Sequence, residues 1–394
     1  MIVPLTEAVA ETCGGKAGAL GALLRAGLPV PDGFVVPFAA HLAATRDLEN
    51  ALGRGLDALG DPTVAVRSSA ADEDTGQASA AGQYESFLAV LGVSQVADAV
   101  RACWASLFSP RAIDYRQGRP SDDLAMAVIV QRHLDAEVSG VMFTPAEPDH
   151  ATEIEASWGL GPSIVGGTVT PDAYRVAGDG SVTRTVADKR TRLDRVGTRL
   201  VTREVPTQAR ERPTIDDATA AQLAKLGKEV AAVRGGPQDI EWAIVDGRTW
   251  VLQARPVTAT PPPPSSGSDI PDTALSGTPG SRGTVTGTAR IVRGPGDFAR
   301  VHPGDILVCP FTDPAWTPLL RIVAGVVTET GGVLCHAAIV AREHAIPAVL
   351  GVTNATSMLH DDTVITIDGS TGTITPHLNG REELGSGPAR TPRP

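Results

Sequence analysis

No stretch of this 394-residue chain reaches the roughly 18 to 20 uninterrupted apolar residues that cross a bilayer. The opening MIVPLTEAVAETCGGK also lacks a basic segment followed by an apolar core. Both absences argue against membrane insertion and secretion, and a cytoplasmic protein is expected. Its four cysteines, Cys13, Cys103, Cys309 and Cys335, are far apart and form no CxxC pair, which argues against a disulfide framework or a structural zinc site. Basic charge is short as well: 34 Lys and Arg against 45 Asp and Glu leave a net charge of −11. Neither nucleic acid nor an anionic membrane is therefore expected as a partner. Lysine is the scarcest cation, present only as Lys16, Lys189, Lys225 and Lys228, so each is worth following.

The chain divides at TATPPPPSSGSDIPD, where consecutive prolines run into Ser and Gly and forbid helix or sheet ladder. This predicts a body over 1–257, a tether over 258–275, a second body over 276–378 and a disordered tail over 379–394. In the first body, GKAGALGALLRA has helical apolar spacing, while VAVRSSA, MAVIVQRHL, VSGVMFT, DIEWAIVDG and RTWVLQARPV are short β-rich runs. An α+β body, expected in two lobes, results. The second body reads as a small β/α domain, with strands in GTVTGTARIVRG and GDILVCPF and a closing hairpin in DTVITIDGSTGTIT.

The most informative run is TETGGVLCHAAIVAREHAIPAVLGV. A strand is predicted to end at Val327, two glycines turn the chain, and a helix begins near Cys335 and His336. That places His336 at a helix N-terminus, where free N–H groups and the macrodipole favour a phosphoryl anion on an imidazole nucleophile. A capping or packed histidine has the same spacing. The run resembles the phosphohistidine signature of the phosphoenolpyruvate-utilising swivelling domain of phosphoenolpyruvate synthase, pyruvate phosphate dikinase and rifampin phosphotransferase. GDILVCPFTDPAWTPLL extends the likeness. The resemblance implies that His336 carries the phosphoryl group, with Thr328, Gly331, Gly332 and Arg342 shaping its loop, although Arg342 also fits a solvated helix face. Leu334 stands where plant dikinases have a regulatory threonine. Cys335 reads as packing, and His344 lies too far along the helix to share the loop's chemistry.

A second, independent resemblance, to the ATP-grasp nucleotide-binding domain of the same family, covers GGKAGALGALLRAGLPVPDGFVV, VAVRSSAADEDTGQASAAGQYESFLAV, MAVIVQRHLDAEVSGVMFT, EIEASWGLGPSIVGGTVTPDAY and DIEWAIVDGRTWVLQARPVT. It implies a two-lobed ATP-grasp domain followed by a small swivelling β/α phosphohistidine domain. Lys16 and Arg67 are expected to hold ATP phosphates, though GGK also reads as a surface turn and Arg67 as an interlobe salt bridge. Gly82 and Ser86 match the loop over the phosphates. Gln131 would meet adenine, or else be a polar residue on an edge strand. Glu241 and Gln253, twelve residues apart on a predicted hairpin, are assigned to Mg²⁺, a hard ion that suits oxygen ligands bridged to nucleotide phosphates. Arg255 lies two residues beyond Gln253 on the same strand face and is expected to point at the same phosphates, with a structural arginine as the other reading. EASWGLGPSIVGG is either a ligand-facing loop or lobe packing.

The resemblance implies an ATP-dependent phosphotransferase that releases AMP and Pi through a phosphohistidine and passes the β-phosphate to a small-molecule acceptor. No acceptor domain is recognised in the chain. A phosphocarrier donating from His336 to a separate acceptor-binding protein, and a nucleotide-binding module without turnover, are the other readings.

Overall fold

The computed structural model describes residues 2–42, 47–71, 84–115, 125–147, 150–262 and 274–377. Gly82, most of the tether and the 379–394 tail lie outside the described residues. The first lobe is a five-stranded sheet in the order β1-β2-β5-β3-β4, with β1 Val3–Pro4, β2 Gly33–Val36, β3 Val64–Ala70, β4 Ser86–Val90 and β5 Met126–Arg132. Strand alternation sorts its residues between two environments. On β5, Met126, Val128 and Val130 pack with helices Leu48–Leu59 and Val93–Ser106, while Ala127 and Ile129 pack against helix Ala10–Arg25. The same alternation on β3 sends Val64, Val66 and Ala70 into the first of these cores, so that Arg67 and Ser69 fall on the opposite face.

Helix Ala10–Arg25 starts earlier than the apolar spacing predicts and is interrupted at Gly14, whose φ is 80°. The break has a local cause. A Cβ on Gly14 would fall 2.2 Å from the carbonyl oxygen of Ser69. The Ser69 hydroxyl also donates to the Cys13 carbonyl at 2.7 Å and accepts from the Ala17 N–H at 3.1 Å, stitching the kink to β3. Lys16 thus stands in the turn that follows the kink, inside the helix rather than ahead of it.

The second lobe is a six-stranded antiparallel sheet in the order β13-β12-β6-β7-β8-β9. Its strands are β6 Val138–Phe143, β7 Thr152–Trp158, β8 Asp172–Val176, β9 Val182–Thr185, β12 Gln238–Val245 and β13 Arg248–Pro256. A separate ribbon pairs β10 Thr191–Val196 with β11 Arg199–Glu204. Helix Asp217–Arg234, capped by the Asp216 carboxylate on the Thr219 N–H, covers the sheet through Leu223, Ala224 and Val230.

Lys189 is fully buried here and serves the fold. Its Nζ donates to Asp172 at 2.5 Å and to the Ala187 carbonyl at 2.9 Å. Asp172 also accepts from the Thr214 N–H and hydroxyl, so every partner of this buried charge is supplied. A Lys189→Met chain, which leaves the carboxylate without its cation, is expected to lose about 3–5 kcal/mol of stability in urea unfolding.

The second body is an eight-stranded sheet in the order β14-β21-β20-β16-β17-β18-β19-β15. Its strands are β14 Leu275–Ser276, β15 Thr278–Ser281, β16 Thr284–Ile291, β17 Ile306–Cys309, β18 Gly325–Thr328, β19 Ala348–Leu350, β20 Val364–Asp368 and β21 Thr373–Pro376. Strands β16 to β19 run parallel, and helix His336–Glu343 makes the crossover from β18 to β19. Both faces are covered, by Leu307, Val326 and Ala338 on one side and Val308, Val327 and Ile365 on the other. The crossover places His336 beyond the carboxyl ends of the parallel strands, the usual place for ligands in such sheets. Among the described residues no helix is long and apolar enough to cross a membrane.

Candidate active site between the nucleotide body and the carrier loop

A cavity of about 350 Å³ opens between the two lobes of the first body. That is within the range of roughly 300–1,000 Å³ seen for small-molecule sites. Ala65, Leu88, Leu134, Ala136, Leu160, Ala243 and Leu252 give it apolar walls, and Arg67, Ser86, Gln131 and Glu241 bring polar groups. Four of the residues singled out in the sequence therefore meet in one space.

Each arrives by a different local rule. Arg67 and Ser86 are direct register partners on β3 and β4. Gln131 is on β5, a central strand between β2 and β3, so the edge-strand reading is wrong; its amide donates to the Pro31 carbonyl at 2.9 Å. Glu241 faces Gln253 across β12 and β13 as predicted. A β-bulge at this pair shifts the register, so that Trp242 lies opposite Val251 and Leu252 is the extra residue. The bulge lets Val251 face the core with Trp242 and still turns Gln253 and Arg255 to the face of Glu241.

Arg67 ties the lobes together in this state. It donates to the Leu252 carbonyl at 2.7 Å and to Gln253 Oε1, and lies 3.6 Å from Glu241. The contacts of Arg67 are those of the interlobe reading, made with the side-chain oxygens of Gln253 and Glu241. Arg255 pairs with Asp239 at 2.7 Å, both groups nearly buried. Asp239 was missed in the sequence, although its position two residues before Glu241 on one strand puts it on the same face. Lys16 is not among the residues lining either cavity between the bodies.

Beyond Glu241 the space narrows to a second cavity of about 70 Å³, lined by Asp239, Glu241, Arg255, Pro314 and His336. Glu241 and Pro314 border both spaces. His336 thus faces the polar end of the interlobe cleft. His336 is 3% exposed and begins its helix with Cys335 as N-cap. Its Nδ1 lies 3.0 Å from the hydroxyl of Thr312, a partner 24 residues upstream that no local pattern announces.

The loop leading to it is braced throughout. Strand β18 extends one residue past Val327, and the Thr328 hydroxyl donates to the Thr330 carbonyl at 2.7 Å. Gly331 has φ of 109° and approaches the backbone of Gly167 in the nucleotide body. Thr330 donates to the Gly167 carbonyl at 2.6 Å. Arg342 donates to the carbonyls of Val333 and Gly280, so it supports the loop from behind and is no solvated face; burial pushes its guanidinium down to about 10. Cys335 is packing, with a thiol that burial pushes up to about 11. His344 caps the far end of the helix. Leu334 and Ile339 enter an apolar patch with Val141, Phe143, Ile164 and Val169 of the nucleotide body, and the Val333 and Leu334 N–H groups donate to Glu155 on β7. Trp158, in the same run, donates to the Ala209 carbonyl and packs locally.

Comparison with known proteins identifies both bodies. Residues 40–268 match the pyruvate phosphate dikinase AMP/ATP-binding domain, more than half of the chain, and residues 301–372 match the mobile domain of PEP-utilising enzymes. The chain belongs to the phosphoenolpyruvate synthase and pyruvate phosphate dikinase family. It is 37% identical over 418 residues to a probable phosphoenolpyruvate synthase of Methanothermobacter thermautotrophicus, covering 92% of this chain and 61% of that protein. A probable phosphoenolpyruvate synthase of Archaeoglobus fulgidus is 36% identical over 420 residues, covering 92% and 56%. The phosphoenolpyruvate synthase of Aeropyrum pernix is 32% identical over 458 residues, with the same coverages. The chain therefore spans 56–61% of the length of these family members. Its fold is the one this family implies, a two-lobed nucleotide-binding body and a mobile-domain body.

Proposed function

We propose that this chain catalyses ATP-dependent phosphoryl transfer through His336. The observation that carries the reading is the shared border of the two cavities, which sets the imidazole beside Glu241 and Arg255 at the polar end of a nucleotide-sized cleft. The base would lie against the apolar walls near Gln131, and the phosphates would meet Arg67, Ser86 and Arg255. With Nδ1 held by Thr312, Nε2 is the nitrogen that attacks. Its lone pair forms the bond to the β-phosphorus, the bond from that phosphorus to the AMP oxygen breaks, and AMP leaves. The γ-phosphoryl group then passes to water as Pi, and the remaining phosphohistidine serves a small-molecule acceptor.

Catalysis of this kind rests on positioning and charge neutralisation. Glu241 and Gln253 present oxygens on one strand face, the donor type that Mg²⁺ takes, and would hold it together with nucleotide phosphates. Such an ion neutralises charge on the phosphates. A histidine enclosed against the nucleotide cannot also meet a separate acceptor, so the carrier body is proposed to move between two stations.

The test is product analysis. Incubation with ATP and Mg²⁺ should give AMP and Pi and leave the protein phosphorylated, and one member of a metabolite library should discharge it without a second protein. ADP as the only nucleotide product would contradict the reading.

A further inference from the structure

The run EASWGLGPSIVGG, whose role the sequence leaves open, opens with a carboxylate that makes two hydrogen bonds between the two bodies. Glu155 lies on β7 between Val141 of β6 and Ala173 of β8, and is 3% exposed. Its two oxygens accept the N–H groups of Val333 at 2.6 Å and Leu334 at 3.2 Å. Those residues immediately precede the N-cap of the His336 helix, so holding them fixes where the helix begins. Gly332 comes so close that an added Cβ would lie 2.2–2.5 Å from the Glu155 carboxyl atoms, which are its three nearest neighbours.

We propose that Glu155 is a positioning residue that seats the carrier loop on the nucleotide body, and that seating the loop takes up a proton at this carboxyl. Its effect on catalysis rests on the phosphotransfer reading above; the seating itself does not. The groups facing Glu155 do not supply a paired cation. Arg342, from the carrier helix, directs Nη1 to the Val333 and Gly280 carbonyls, Cys335 is a neutral thiol, and Glu153 on the same strand is engaged by Arg175 at 3.2 Å. Burial therefore dominates and pushes the Glu155 carboxyl up to about 7, against the pull of the two N–H groups and of Arg342 and with a small push from Glu153. Once the loop leaves, the group regains water and returns toward the ordinary glutamate value of about 4.3. The seated state then binds the proton more tightly. Seating weakens by up to about tenfold per pH unit between those two values and levels off above about 7.

The experiment uses the full chain without nucleotide, with the seated fraction followed by solution scattering from pH 5 to 8. The seated fraction should fall as pH rises in the wild type, and the slope should vanish in Glu155→Gln, whose amide oxygen still accepts one N–H. Gly332→Ala probes the other side: its backbone lies outside the left-handed region, and the three atoms nearest an added Cβ all belong to the Glu155 carboxyl. Gly332→Ala should unseat the loop, and Glu155→Ala, which leaves the Val333 and Leu334 N–H groups without their acceptor, should unseat it as well. With ATP, Gly332→Ala should slow phosphorylation of His336 with ATP affinity unchanged. A wild-type seated fraction independent of pH, or normal seating of either Gly332→Ala or Glu155→Ala, would overturn the proposal. A wild type that seats as described and never takes label would sink the phosphotransfer reading while upholding Glu155.

Discussion

With β-labelled ATP, the His336→Ala chain is expected to take up no base-stable, acid-labile label and to release no AMP, while its ATP affinity stays within about threefold of wild type. A threefold change is below 1 kcal/mol. The separation follows from the geometry: the imidazole lines only the smaller cavity, and the larger one is built wholly from other side chains apart from Pro314 of the carrier body. His336→Gln, which keeps a polar side chain near Thr312, guards against a packing artefact and should behave alike. Label retained in both variants would move the carrier elsewhere.

Arg67→Met carries the second large effect. The guanidinium now contacts Leu252, Gln253 and Glu241 and lines the larger cavity, so bound phosphate would replace carboxylate and amide as its partner. Loss of one preorganised charge at a reacting phosphate is expected to slow labelling at saturating ATP by about 10²–10³-fold. Lysine offers a point charge where the fork is needed, so Arg67→Lys should recover little of this. The fold should tolerate either change, because Arg67 is not fully buried and an apolar cluster that includes Leu20, Ile129, Met142 and Trp242 joins the two lobes without it. Single-turnover labelling beside thermal unfolding separates the two effects.

What could be read from the sequence was local. The hairpin that sets Glu241 opposite Gln253 follows from alternation on either side of Asp246 and Gly247, both with positive φ in the turn. The start of the His336 helix follows from the loop that precedes it. What escaped depends on pairings with no local signal. The bulge at Leu252 keeps Gln253 aimed at the cleft by changing the alternation phase. The kink at Gly14 answers to Ser69, 55 residues away, and moves Lys16 into the helix. The edge-strand alternative for Gln131 fails on strand order, which is not written in strand composition. Thr312 is recognisable only from its tertiary contact with His336 inside the carrier body, and Glu155 only from its contact across the two bodies. Asp239 alone could have been found, by counting back two residues from Glu241.

The most direct test of the central claim is a rapid-quench single turnover with β-labelled ATP on the full chain, followed by peptide mapping at alkaline pH. AMP and labelled protein should appear at one common rate, with the label on Nε2 of His336. ADP formed while His336 stays unlabelled would contradict it.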